Sequence, residues 1–384
     1  MNELTIQPLL EEHFFWLHRH PEQSYFEHET TAYIKHALGK ANIEILNTGL
    51  KTGLVALISA ARKNGALVAL RADIDALPVT EESGCDYASQ NNGFMHACGH
   101  DFHTAALLGA ALLLKQKQAE LVNDVLLVFQ PAEEVSGGAE SVLATGALDK
   151  ANVIFGLHVA PDYPCGTVAL KSGGTFAAVS AFKITIKGKG GHAAMPQLCR
   201  DPVVAAAALI MAAQTIISRT SDPLDSVVLS FTHIEAGKTW NVIPETAFVE
   251  GTIRALGTKE AQSATKKLGA FCKAIELSHE IECNFDSWLD APATNNDVEL
   301  TRYAELTAGK LGLNVTAYKP TMAGEDFALY QEKIRGLFIN FGVESASALH
   351  HPAFRANYKG LSDAARLLAE LAFNFKEDKN ARAA

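Results

Sequence analysis

Between His96 and His103 the chain reads HACGHDFH, bringing His96, Cys98, His100, Asp101 and His103 into one short run. A thiol, imidazoles and a carboxylate at such spacing suit a divalent transition metal, because thiolate and imidazole favour zinc-like ions while carboxylates extend the range toward manganese. The plainer alternative is a reduced core cysteine with histidines that satisfy loop backbone; the density of the cluster favours metal. Downstream, Gln130-Pro131-Ala132-Glu133-Glu134 sets two glutamates in succession. Consecutive side chains on an extended segment point in different directions, so one can bind a cation while its neighbour stays free as a base. Upstream, Asp73 and Asp75 of RADIDALP follow an apolar run. They either cap a loop or orient a metal-bound histidine from behind.

These groups need elements to hold them. After His103, the residues Ala106, Leu107, Gly109, Ala110, Leu113 and Leu114 recur with helical period. An apolar strand over 125–129 delivers Glu133 and Glu134 at its C-terminal end, and a strand over 153–157 does the same for His158. A loop ahead of a helix and a loop behind a strand are where an open α/β sheet presents chemistry. Helices are also expected over 3–20 and 28–38, with strands near 43–46, 54–59 and 66–71. From about residue 173 the texture changes: strand 179–186, a glycine-rich turn ending in His192, an alanine-rich helix 201–218, strands 226–234 and 246–255, helix 258–278 and strand 281–288. The order βαββαβ is that of a split-βαβ, ferredoxin-like unit inserted into the first domain. The expected division is therefore 1–174 with 291–384 against 175–290. Helix 297–311, strand 336–341 and helix 362–373 complete the first part, before a charged tail from Lys376 that is expected to be mobile.

With 384 residues, 48% hydrophobic and 20% charged, the chain is long enough for one large or two medium domains of ordinary globular composition. A formal charge of -10 argues against nucleic acid, which needs a basic face, and against an anionic membrane surface. No cleavable signal pattern opens the chain, and its longest apolar runs read as too broken to span a membrane. Six cysteines in a chain this long do not make a disulfide scaffold, so reduced thiols in a cytoplasm are expected.

Taken together, RADIDALP (71–78), MHACGHDFHTA (95–105), FQPAEE (129–134), GLHV (156–159), GGHAAMP (190–196), NVIPE (241–245), GTIR (251–254), GEDF (324–327) and LHHP (349–352) resemble the amidohydrolase branch of the dinuclear metallopeptidase and aminoacylase family. That branch contains hippurate hydrolases and plant indole-acetyl-amino-acid hydrolases. The resemblance implies an α/β, mixed-sheet, zinc-peptidase-like catalytic domain carrying an inserted α+β ferredoxin-like lid that dimerises. It implies two divalent ions, Mn2+, Zn2+, Ni2+ or Co2+, held by Cys98, His100, Glu134, His158 and His350, with His351 as the fallback for the last. Glu133 is then the general base, and His192 reaches the active site of the partner subunit in a homodimer. Departures fall after HAAMP, where Gln197, Cys199 and Arg200 replace the usual residues and bear on substrate preference.

Two ions about 3.5 to 4 Å apart lower the pKa of water toward neutrality and polarise a carbonyl. Cys98, as a thiolate, is expected at or between them. Glu133 would take a proton and hand it to a leaving amine, His192 would donate to the oxyanion, and Asn241 and Arg254 would hold a substrate carboxylate. The expected substrate is an N-acyl amino acid; a dipeptidase or carboxypeptidase on the same scaffold is the alternative, and a metal-bearing binding protein without turnover the rival from another class.

Overall fold

The computed structural model describes residues 3–62 and 65–377; most of the charged tail, residues 378–384, lies outside them. The chain divides into two compact units, Met1–Gly173 with Asn295–Lys319 and Asp326–Ala384, and Gly174–Thr294 with Pro320–Glu325. The short segment Pro320–Glu325, left in the catalytic part by sequence reading, clusters with the second unit.

The first unit is built on an eight-stranded mixed sheet in the order Glu44–Ile45, Leu54–Ile58, Asp124–Gln130, Leu67–Asp73, Val153–Ala160, Arg335–Gly342, Val168–Leu170, Val315–Ala317. Its four middle strands run parallel to one another, with Asp73 opposite Gln130 and Asn340 opposite His158. Being covered on both sides, they read as unbroken apolar runs rather than alternating ones; every residue of Val153–Ala160 is buried. That strand extends past the expected 157, so His158 lies inside it.

Helices Glu3–Arg19, His100–Gln116 and Leu361–Asn374 pack on each other, and the latter two on this sheet. The last is amphipathic: Leu361, Ala364, Ala365, Leu367, Leu368, Leu371 and Ala372 form its buried stripe, so Leu368→Ala should cost about 2–5 kcal/mol. Gly109 permits the closeness of all three, since a Cβ there would lie 2.7 Å from Ala365 Cβ and 2.8 Å from Leu10 Cδ2.

The second unit is a four-stranded antiparallel sheet ordered Val227–Ala236, Thr246–Ala255, Ala178–Lys187, Glu282–Ala291, with helices Pro202–Thr220 and Thr258–His279 packed on it. Asp201 starts the first helix: its carboxylate accepts from Val203 N at 2.8 Å, with Pro202 at the position where a missing N–H costs nothing. Contrary to the expectation that no run approaches a membrane span, Pro202–Thr220 is long and apolar enough to cross one by length and composition. Ala205, Ala206, Leu209, Ala213 and Ile216 belong to this unit's own core.

Candidate metal centre

His100 opens its helix after Gly99, whose φ of +83° is the left-handed region a side chain resists. A Cβ at Gly99 would also meet Val159 Cγ2 at 2.5 Å, so the turn that aims His100 requires glycine. His100 Nδ1 donates to the Asp75 carbonyl at 2.9 Å, which turns Nε2 the other way. There it faces Glu134 Oε1 at 3.8 Å and Glu133 Oε2 at 3.9 Å. His100 Nε2 and Glu134 Oε1 are both buried without a hydrogen-bond partner among the described residues, a state that costs about 1–3 kcal/mol per group unless something else satisfies it.

What surrounds these two atoms is a set of donors. Cys98 Sγ lies 3.5 Å from His158 Nε2, and His350 Nε2 lies 3.5 Å from Glu134 Oε1. Two ligands about 2.0–2.3 Å from a common ion at a tetrahedral angle stand roughly 3.3–3.7 Å apart, close to these spacings. Three overlapping groups have their donor atoms within 4.8 Å of one another: Cys98, His100 and His158; Cys98, Glu134 and His350; His100, Glu133 and Glu134. The groups share members, and a set of thiol, imidazole and carboxylate donors fits divalent metal.

Electrostatics point the same way. Burial, reinforced by Glu134, pushes the Cys98 thiol well up, and burial raises Glu134 despite His100 and His350. Burial, then the neighbouring His103, lowers His158 to about 3, leaving it a neutral imidazole; its Nδ1 donates to the Val159 carbonyl at 2.8 Å. For His100 burial opposes the charge, but Asp73 and Asp75 outweigh it and raise the pKa well above its usual value. A divalent cation inverts this logic by stabilising thiolate and carboxylate together.

The remaining histidines differ in their surroundings, His96 having neither ring nitrogen hydrogen-bonded among the described residues. His103 uses both nitrogens, Nδ1 donating to Asp73 at 2.6 Å and Nε2 accepting from Val159 N at 2.9 Å. His96 is buried and lowered to about 4 by that burial. His351 Nδ1 accepts from Ala353 N at 3.0 Å, whereas His350, at a φ of 64°, reaches Glu134. The two aspartates differ: the Asp73 carboxylate accepts from His103 Nδ1, whereas Asp75 Oδ2 accepts from Ser24 Oγ at 2.6 Å and Glu134 N at 3.0 Å and its backbone carbonyl holds His100.

Sequence reading missed the support beneath the site. Arg71, fully buried, donates to Asp73 at 2.7 Å, Gln130 at 2.8 Å and Asp326 at 2.9 Å, and Gln130 donates onward to Asp326. A lone arginine inside the apolar run ALVALRAD was the available signal. The turn carrying the glutamates is held by Glu27, which accepts from Ala132 N at 2.8 Å.

His192, Asn241 and Arg254 belong to the second unit. His192 pairs with Val242 in a two-residue ladder and is exposed; its Nδ1 accepts from Ala194 N at 3.1 Å, so in the neutral ring Nε2 carries the proton. Asn241 Oδ1 accepts from Thr239 Oγ1 at 3.2 Å. Arg254 lies in the strand Thr246–Ala255, half-buried beside Gly324. Of the departures from the family pattern, Arg200 donates to Glu280 at 2.7 Å and the Cys199 thiol to the Met195 carbonyl at 3.6 Å.

The chain is 43% identical over 357 residues to N-acetylcysteine deacetylase of Bacillus subtilis, covering 93% of this chain and 94% of that one. It is 38% identical over 375 residues to an IAA-amino acid hydrolase of Arabidopsis thaliana, covering 95% and 86%. A Bacillus subtilis crystal structure, described as a dinuclear metal binding peptidase, superposes with a TM-score of 0.88 at 39% identity, covering 96% and 98%. Residues 69–374 match the model of Peptidase family M20/M25/M40, and the chain belongs to that family.

Proposed function

We propose that the protein is a metal-dependent amidohydrolase that cleaves N-acyl amino acids to a carboxylic acid and a free amino acid. Cys98, His100, Glu134, His158 and His350 hold two divalent cations, and Glu133 is the general base. The observation that carries this reading is the meeting of two partnerless buried atoms, His100 Nε2 and Glu134 Oε1, with three further donors and a second glutamate alongside. The relatives' names, a deacetylase and an amino acid hydrolase, support the same reaction class.

Bound there, a pair of cations polarises the scissile carbonyl and makes water acidic near neutral pH. The chain's own residues do the rest. Glu133 accepts the proton of the attacking water and returns it to the departing amine, work worth about 10² to 10⁴-fold in rate. His192 Nε2–H donates to the developing oxyanion, supplied by the partner subunit of a homodimer formed through the inserted unit acting as a lid. Arg254 and Asn241 hold the substrate carboxylate through charge-assisted hydrogen bonds. All six cysteines are free, which suits a reducing cytoplasm.

The test is amine release from acetyl-, benzoyl- and aminoacyl-amino acids with added Mn2+ or Zn2+, together with metal analysis. Glu133→Gln should keep its metal and lose turnover by about 10² to 10⁴-fold. Loss of metal and turnover together would move the base assignment elsewhere. Two bound ions with no acyl-amino acid cleaved would end the reading.

A further inference from the structure

A second convergence of sulfur, nitrogen and oxygen lies in the first unit, on residues with no part in the centre described above. His18 Nε2 stands 3.1 Å from Glu81 Oε1, and Cys85 Sγ stands 3.6 Å from the same oxygen. These three donor atoms all lie within 4.8 Å of one another. On its other side His18 Nδ1 is bonded to Asp101 Oδ2 at 2.6 Å. Glu81 is steadied by Ser89 N, which donates to Oε2 at 2.6 Å, and by the Ser83 hydroxyl, which donates to Oε1. His18 and Glu81 are 2% and 5% exposed, while Cys85 is half-buried and opens the cluster toward solvent.

We propose that His18, Glu81 and Cys85 form a separate site for one zinc-class divalent ion, with Asp101 as the carboxylate that orients His18. The spacing supports it: zinc-ligand bond lengths at a tetrahedral angle put nitrogen and oxygen about 3.4 Å apart and oxygen and sulfur about 3.6 Å apart. Asp101 stands where a carboxylate behind a metal-bound histidine belongs, bonded to one ring nitrogen while the other faces the ion. A thiolate in the set selects zinc over magnesium or calcium. Three protein ligands leave a fourth position for water. Without the ion, His18 Nε2 and the Cys85 thiol both hydrogen-bond Glu81 Oε1; binding exchanges those two bonds for bonds to the ion and passes the two protons to the buffer. The ligands come from the end of helix Glu3–Arg19 and from the loop 78–95, and Asp101 from helix His100–Gln116, so the ion would pin these three pieces together.

The experiment alkylates the full-length protein, loaded with Mn2+ and freed of zinc, with iodoacetamide, with and without added ZnCl2, and follows Cys85 by peptide mass mapping. Cys98, read in the same digest, reports the other centre and separates this proposal from the proposed function. Added zinc should slow labelling of Cys85, and Glu81→Gln should abolish that protection. Metal analysis of zinc-saturated protein should find one ion fewer per chain in Cys85→Ser than in the wild type. Circular dichroism verifies that both variants are folded, and His18→Gln serves as a third variant. A Cys85 labelling rate unmoved by zinc, or an equal ion count in Cys85→Ser, overturns the proposal.

Discussion

Arg71→Met removes a charge from the centre of the first unit while nearly keeping the volume, so its effect is electrostatic rather than a cavity. The side chain is 0% exposed and touches two buried carboxylates, Asp73 at 2.7 Å and Asp326 at 2.9 Å. Losing it strands both. They are not left naked: Asp73 keeps His103 at 2.6 Å, and Asp326 keeps Gln130 at 2.7 Å and Ala139 N at 3.0 Å. The expected cost is that of breaking a buried pair, about 3–5 kcal/mol, rather than that of an isolated buried ion. Against a total stability of about 5–15 kcal/mol the variant still folds, with melting lowered by roughly 6–20 °C at about 2–4 °C per kcal/mol.

The pH dependence has a definite sign. Burial works against the Asp73 carboxylate, but His100 and Arg71 outweigh it and hold its pKa well below the usual range. Its contribution is thus present above the unfolded value near 4 and lost as pH falls through the native one. The deficit of Arg71→Met should accordingly shrink as pH falls, first through Asp326, which burial holds up at about 6 even with Arg71 beside it, and then below about pH 4 for Asp73. Because Asp73 holds His103, which holds Val159 N beside His158, metal affinity should also fall about 10- to 100-fold. Urea unfolding and metal titration of wild type and variant measure both. An unfolding free energy within about 1 kcal/mol of wild type would show that local dipoles, not Arg71, satisfy these carboxylates.

Further outcomes follow from single contacts. His350→Ala should lose metal by more than the roughly 10- to 100-fold expected for an orienting neighbour, while His351→Ala stays near wild type; equal losses in metal titration would refute the choice between them. Gly99→Ala forces a side chain into a left-handed turn against Val159 and should destabilise by at least about 1–3 kcal/mol in denaturant unfolding, where a neutral result would mean the turn can relax. Arg254→Ala removes a charged hydrogen bond worth about 1.5–3 kcal/mol, so KM for a free-carboxylate substrate should rise roughly 10- to 150-fold. An amide-blocked substrate should be indifferent, and an unchanged KM for the acid sinks the assignment.

Much of this site could be read in one dimension. Cys98 and His100 lie within one turn of each other, and Glu133 and Glu134 are adjacent, so donor type and local period were visible together. The parallel strands were equally legible, because burial on both faces leaves an unbroken apolar run. The membrane-length helix was misjudged because its outer face is nearly as apolar as its inner one: Val203, Val204 and Met211 are exposed.

What the amino-acid order determined alone is the supply of donors, the elements that carry them and kinship with a hydrolase family, since each is encoded in residue type and short-range spacing. Tertiary structure decided which lone pair is available. His100 and His103 are indistinguishable in HACGHDFH until Asp75 takes one nitrogen of the first, and Asp73 and Val159 take both of the second. Likewise His350 faces Glu134 while His351 bonds Ala353 N, and the partners of Arg71 include one 255 positions away. Hydrogen-bond saturation depends on neighbours brought from distant parts of the chain, and no local pattern records it.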